Sequence, residues 1–367
     1  MNNKLENYNY GVDLLKIISM MFIIVLHILS HGGVLNSSMK LPQHTTVWLI
    51  EMLCVCGVNC FALTSGFVGY RKQDQKIKFS NLITLWIQVI FYSFGITLFF
   101  FIFTEHDIEY STLIKSILPL TFGSYWYFSA YVGMFMLMPF LNIIVNKMER
   151  KDFVKAVICC LLLFSVYGVV VSRYNDPFKI NNGYSMVWLS FMYCLGAFIR
   201  KYNLSSEISY KKLAVIIIGC YLFMLIWFIS IGSFIGHGIS NLFISYISPT
   251  VVCISIGLLM TFSKLKFNSL VRKSILFFSP AVFGVYLIHD HPIFSEFVIK
   301  NQFSFLGTLS VFKIIFILLG IMLIIFIFCI FIDKVRIILF KFLHIKKLAI
   351  YLDKTLNHIL DKLVDIF

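Results

Sequence analysis

Between Gly11 and Gly33 the chain reads GVDLLKIISMMFIIVLHILSHGG, an apolar run long enough to cross a bilayer that still holds Asp13, Lys16, His27 and His31. In hydrocarbon each ionisable side chain costs about 3 kcal/mol unless a partner or water satisfies it, so this segment is a candidate site. Lys16 and His27 are eleven residues apart. That is close to three helical turns, which places both on one face roughly 16 Å apart. Asp13 joins the face at i−3 from Lys16, and His31 lies one turn beyond His27. The chemistry available is a cation that receives an anionic group and an imidazole, titrating near neutrality, that accepts a proton. The same spacing also fits Lys16 snorkelling to headgroups, Asp13 pairing with it, and His27 bonding to a neighbouring helix. Spacing alone names no reaction.

Other residues carry two readings each. Ser65, in Thr64-Ser65-Gly66-Phe67, is a nucleophile or a tight-packing residue, and it lacks the Gly-x-Ser-x-Gly elbow. His289-Asp290-His291-Pro292 has metal-like spacing, but Pro292 favours a helix kink or end, so no metal is expected. Trp126, Tyr127 and Tyr131 can stack on a sugar ring or belong to an interfacial belt. Cys54, Cys56 and Cys60 have no histidine or second cysteine pair in their run; the nine cysteines read as small hydrophobes between helices, with no disulfide framework.

The elements that must position these groups follow from composition. Of 367 residues 59% are hydrophobic and 13% charged, with a mean hydropathy of +0.89. A soluble chain has apolar usage nearer half and charge nearer a quarter. About 217 apolar residues match ten membrane helices of about 20 residues each. Spans are expected near 12–30, 47–70, 80–103, 125–145, 154–172, 185–199, 213–235, 240–262, 277–298 and 307–333. This predicts an all-α polytopic membrane bundle of about ten transmembrane helices.

The formal charge of +14 does not form a nucleic-acid stripe, because the cations fall in clusters between apolar runs. Arg71, Lys72, Lys76 and Lys78; Lys147, Arg150, Lys151 and Lys155; Arg200, Lys201, Lys211 and Lys212; and Lys264, Lys266, Arg272 and Lys273 occupy alternate connections. The opposite ones hold only Lys40, Lys115, Arg173 with Lys179, nothing around His237, and Lys300. The asymmetry puts both termini in the cytoplasm. The first span is expected to stay in the membrane, because Asp13 and Lys16 interrupt its start and no small-x-small site follows. Outer connections near 104–124 and 173–184, with Glu105, His106, Asp107, Glu109, Arg173 and Asp176, read as solvated loops before substrate contacts. Residues 1–335 form the membrane domain, and 336–367 read as an amphipathic tail along the membrane surface. No small-x-x-x-small face fixes an oligomeric state.

At these residues the chain resembles acyltransferase family three, polytopic acetyltransferases that modify bacterial surface glycans and some small molecules. Its signature in the first helix, a basic residue, usually arginine, followed after ten residues by histidine, is met by Lys16 and His27, with Asp13 before them. Lysine keeps a point charge but lacks the planar fork that grips phosphate. Phe61-Ala62-Leu63-Thr64-Ser65-Gly66-Phe67 is similar to the family's Ser-Gly-Phe motif, Trp126-Tyr127-Phe128 with Tyr131 and Met138-Pro139 to its Trp-Phe helix, and Phe283-Gly284-Val285-Tyr286-Leu287-Ile288-His289 to its Gly-Ile-Tyr-Leu-x-His segment. The resemblance covers about residues 8–335, as in a stand-alone member without a fused hydrolase-like domain.

The resemblance implies an O-acetyltransferase of the bacterial cytoplasmic membrane, with acetyl-CoA as donor and a cell-envelope saccharide hydroxyl as acceptor. In that reading His27 is the general base with Asp13 beside Lys16, and Lys16, Arg71 and Lys72 offset the donor's phosphates. Ser65, Trp126, Tyr127 and His289 contact or position the acceptor, with Ser65, Asn59 and Tyr127 as candidate oxyanion donors. The expected geometry is one tunnel bordered by both Lys16 and His27. A transporter or glycan exporter without acyl transfer, or a non-catalytic subunit, would also place ionisable groups inside a bundle.

Overall fold

Asn9 opens the first helix by accepting a hydrogen bond from the Val12 N–H at 3.0 Å, an N-cap on α1, Tyr10–Leu29. A computed structural model describes residues 8–71, 78–106, 108–171, 175–234 and 240–364. Lys72, Lys76, Asp107, Arg173 and His237 lie outside the described residues. In chain order there follow α2 (Leu41–Cys54), α3 (Gly57–Gly69), α4 (Phe79–Phe103), α5 (Tyr110–Ile117), α6 (Trp126–Lys147) and α7 (Arg150–Cys160), the last extended by a π-turn. Then come α8 (Met186–Lys201), α9 (Tyr210–Phe234), α10 (Pro249–Phe262), α11 (Ser269–Phe278), α12 (Val282–His289), α13 (Val311–Phe342) and α14 (Ile345–Val364). Regular structure among the described residues is helical throughout. The chain is an all-α polytopic bundle.

Eight helical segments are long and apolar enough to cross a membrane among the described residues. Two of the ten expected spans are shorter: α8 has 16 residues and α10 has 14. At 1.5 Å per residue they reach roughly 24 and 21 Å, less than the roughly 30 Å hydrocarbon thickness. Both are enclosed by other helices, α8 against α3 and α6, α10 against α1, α3 and α9. The expected span 240–262 is helical only from Pro249, which occupies the first turn where its missing N–H costs nothing. The span 277–298 is broken after His289, because Pro292 holds His291 in an extended conformation. Non-helical backbone at such a depth is tolerated where it lines a cavity.

The centre of the bundle is α1, packed by α2, α3, α10, α11, α12 and α13. Of its most apolar window 67% is buried, against 11% for α9, which leaves α9 as a peripheral helix. Two motif glycines permit close crossings. A Cβ at Gly66 would overlap the Tyr193 carbonyl of α8. A Cβ at Gly284 of α12 would overlap the Asp333 carboxylate of α13. Asp333 is fully buried; Arg336 donates to it at 3.0 and 2.7 Å, Tyr92 at 2.7 Å and Gln88 at 3.2 Å. The carboxylate thus joins α4, α12 and α13. Gly284→Ala is expected to destabilise the protein by roughly 1–3 kcal/mol through overpacking, read as a lower thermal unfolding midpoint in detergent.

The last membrane helix runs to Phe342, past the expected boundary at 335, and turns at His344, where φ is 54°. The expected amphipathic tail is a helix, α14, with Leu348, Tyr351 and Leu363 exposed. It packs on α4, and the Asp353 carboxylate accepts the Phe79 N–H at 3.1 Å, capping α4 from a distant part of the chain.

Candidate active site

His27 sits in the last turn of α1, opposite the end of α12. Its Nδ1 lies 3.1 Å from His289 Nε2 and 3.5 Å from Asp290 Oδ1. His289 Nδ1 is 2.6 Å from the Val285 carbonyl, one turn back in α12. A carbonyl only accepts, so His289 carries its hydrogen on Nδ1 and presents a lone pair at Nε2. His27 then donates from Nδ1, and its own lone pair is on Nε2. That tautomer is the one in which His27 can take a proton from a ligand. Asp290 Oδ1 is placed to offset the imidazolium that would form.

His27 borders a cavity of about 680 Å³ between α1, α2, α3, α6, α12 and the segment before α10. One wall is aromatic. Trp126 and Tyr184 have ring centroids 4.4 Å apart, Tyr184 and Tyr246 5.1 Å, and Tyr127 and Tyr286 6.1 Å. The irregular stretch that replaces the start of the expected span 240–262 supplies Tyr246 and its neighbours. A second cavity of about 440 Å³ shares Ser30, His31 and Asp290 with the first and is bordered by Glu296 and Lys300. His31 stacks on His27 at 5.0 Å and lies 3.2 Å from Ser295 Oγ, so it stands between the two spaces.

Trp126 and Tyr127 line the larger cavity with His27. Lys16 does not; its Nζ lies 3.0 Å from Asp13 Oδ1, and Asp13 also accepts from the Tyr8 hydroxyl. The cavity ends at Met20, one turn above Lys16. One helical turn thus separates Lys16 from the cavity that His27 borders. Asp13 precedes His27 by fourteen residues, roughly 21 Å along the helix, so it cannot reach the atoms that react at His27. Of its expected role the structure retains the pairing with Lys16, and the carboxylate facing His27 is Asp290.

His289 is 1% exposed and stands behind His27, off the cavity wall. Ser65 does not line the cavity; its hydroxyl donates to the Phe61 carbonyl at 3.0 Å within α3. Asn59 donates to Tyr246 O at 2.7 Å and accepts from Trp188 Nε1 at 2.9 Å; it is fully buried and does not border the cavity. Arg71 is exposed and donates to the Val68 and Tyr70 carbonyls at the C-terminal end of α3. The side chains of the His-Asp-His stretch diverge, since His291 turns away to the Ser93 carbonyl at 3.0 Å.

Glu51, Tyr184, Tyr246, Tyr286 and Asp290 border the cavity without having been expected there. For Glu51 a signal existed, an acid inside an apolar span, the same sign that singled out α1. Nothing in the local sequence marks Tyr184 or Tyr246.

A family model for acyltransferase family 3, described as an acyltransferase domain, matches residues 9–334. No curated protein and no solved structure matches the chain.

Proposed function

Because the chain belongs to this acyltransferase family and is a multi-pass membrane protein, we propose that it transfers an acetyl group from acetyl-CoA to a hydroxyl of a cell-envelope saccharide in the bacterial cytoplasmic membrane. The observation that carries the reading is the 3.1 Å His27–His289 contact, which leaves His27 Nε2 as a base at the cavity. The acceptor oxygen attacks the thioester carbonyl carbon while Nε2 takes its proton. The tetrahedral intermediate then collapses, the C–S bond breaks, and the departing sulfur receives that proton from the imidazolium. The products are an ester and free CoA, and no enzyme-bound acyl group is needed.

Two features support the chemistry. The Asp290 carboxylate, 3.5 Å from Nδ1, offsets the transient positive charge. The Tyr286 hydroxyl borders the cavity together with Asp290, where it is placed to donate to a developing oxyanion. In this reading residues 1–335 form the catalytic unit and 336–367 an accessory tail. Both termini face the cytoplasm, and Lys16, Arg71 and Lys72 offset the donor's phosphates. The thioester arm must then pass the single turn between Lys16 and Met20.

The test is release of CoA thiol from acetyl-CoA by the purified chain in lipid nanodiscs, with and without envelope glycan. Glycan-dependent release is expected. Passage of glycan across proteoliposomes without CoA release would overturn the proposal in favour of an exporter. His289→Phe removes the acceptor that fixes the His27 tautomer. It is expected to lower turnover roughly 10- to 100-fold, the range for partners that orient a functional histidine, with little change in KM.

A further inference from the structure

The cavity beside His27 is bordered by two carboxylates, Glu51 and Asp290, and by no lysine or arginine among the described residues. Asp290 faces His27, whereas Glu51 Oε2 is buried with no hydrogen-bond partner. Glu51 belongs to α2, inside a segment apolar enough to cross the membrane, where an unsatisfied carboxyl group is costly. No described residue supplies a hydrogen-bond donor to Oε2, which leaves that oxygen open to a ligand.

Glu51 borders the same cavity as Tyr184 and Tyr246. Those two rings and Trp126 form one aromatic patch, with Trp126 and Tyr246 inclined by only 17°. An aromatic face with a hydrogen-bond acceptor beside it suits a pyranose: C–H groups on the ring, hydroxyl or amino hydrogens on the carboxylate. Two acids, with no lysine or arginine bordering this cavity among the described residues, disfavour a carboxylate or phosphate on the same sugar.

Resting on the acyl-transfer reading above, we infer that Glu51 holds the acceptor sugar by its hydroxyl or amino hydrogens, and that the site takes neutral or amino-bearing pyranoses and rejects anionic ones. The full chain in nanodiscs, with acetyl-CoA as donor, is assayed on methyl glucoside, methyl glucosaminide and methyl glucuronide. The wild type is expected to use the first two at least about tenfold better than the third, in kcat/KM. Glu51→Gln is expected to raise KM for the first two by about 10- to 100-fold, the value of a hydrogen bond to a charged group, with a smaller change in kcat. It should also narrow the gap to the glucuronide, while Glu51→Asp, which keeps the carboxyl group, preserves that gap.

Equal use of the glucuronide by the wild type overturns the inference, as does an unaltered KM in Glu51→Gln. Equilibrium dialysis of the same labelled glycosides needs no donor. Selectivity there without any CoA release would sink the acyl-transfer reading and leave the role of Glu51 standing; equal binding of all three would sink the role of Glu51.

Discussion

Replacing His27 by Gln is expected to lower glycan-dependent CoA release by about 10²- to 10⁴-fold, the usual contribution of a general base. The substitution is chosen because an amide N–H can still donate to His289 Nε2, which keeps the α1–α12 contact while removing the proton acceptor. The loss should fall on turnover, with donor and acceptor KM little changed, since the aromatic wall and Glu51 remain. A decrease of less than about tenfold would move the base elsewhere, with His31, stacked 5.0 Å from His27, the next candidate.

The second large effect concerns stability. Asp333→Ala leaves the Arg336 guanidinium, 8% exposed, without its counter-charge, and strips Tyr92 and Gln88 of their acceptor. Breaking one side of a buried ion pair costs about 3–5 kcal/mol. The expected result is a large fall in unfolding midpoint and loss of activity, although Asp333 does not border the cavity with His27. Removing both charges, in Asp333→Leu with Arg336→Met, should recover much of the stability, because no lone charge is then left inside. A single variant as stable as the wild type would show that the cluster does not hold α4, α12 and α13 together.

The fold was legible because hydrocarbon admits few solutions: long apolar runs must be helices, and the eight longest are. The two short helices, α8 and α10, read as ordinary spans because their apolar residues face protein, and hydropathy does not distinguish protein from lipid. His27 was legible from its cost within α1. Its partners were less so. His289 and Asp290 were visible as a pair, but their spacing resembles a metal site, and only the break before Pro292 shows that His291 points the other way. Asp13 was legible as the neighbour of Lys16 from their i, i+3 spacing, and the two side chains meet at 3.0 Å. The aromatic wall depends on Tyr184 and Tyr246 coming together from separate connections, a long-range fact with no local trace.

The Asp353 carboxylate that closes the start of α4 and the Asp333 carboxylate seated against Gly284 come from α14 and α13, which follow the helices they hold. During synthesis the earlier helices therefore enter the bilayer before the parts that lock them exist. A ribosome stalled near residue 330 would leave a chain already inserted but unfinished, with the Gly284 notch vacant. Locking must wait for α13 and α14, and a chain cut before them is expected to be membrane-bound protein that quality-control proteases recognise.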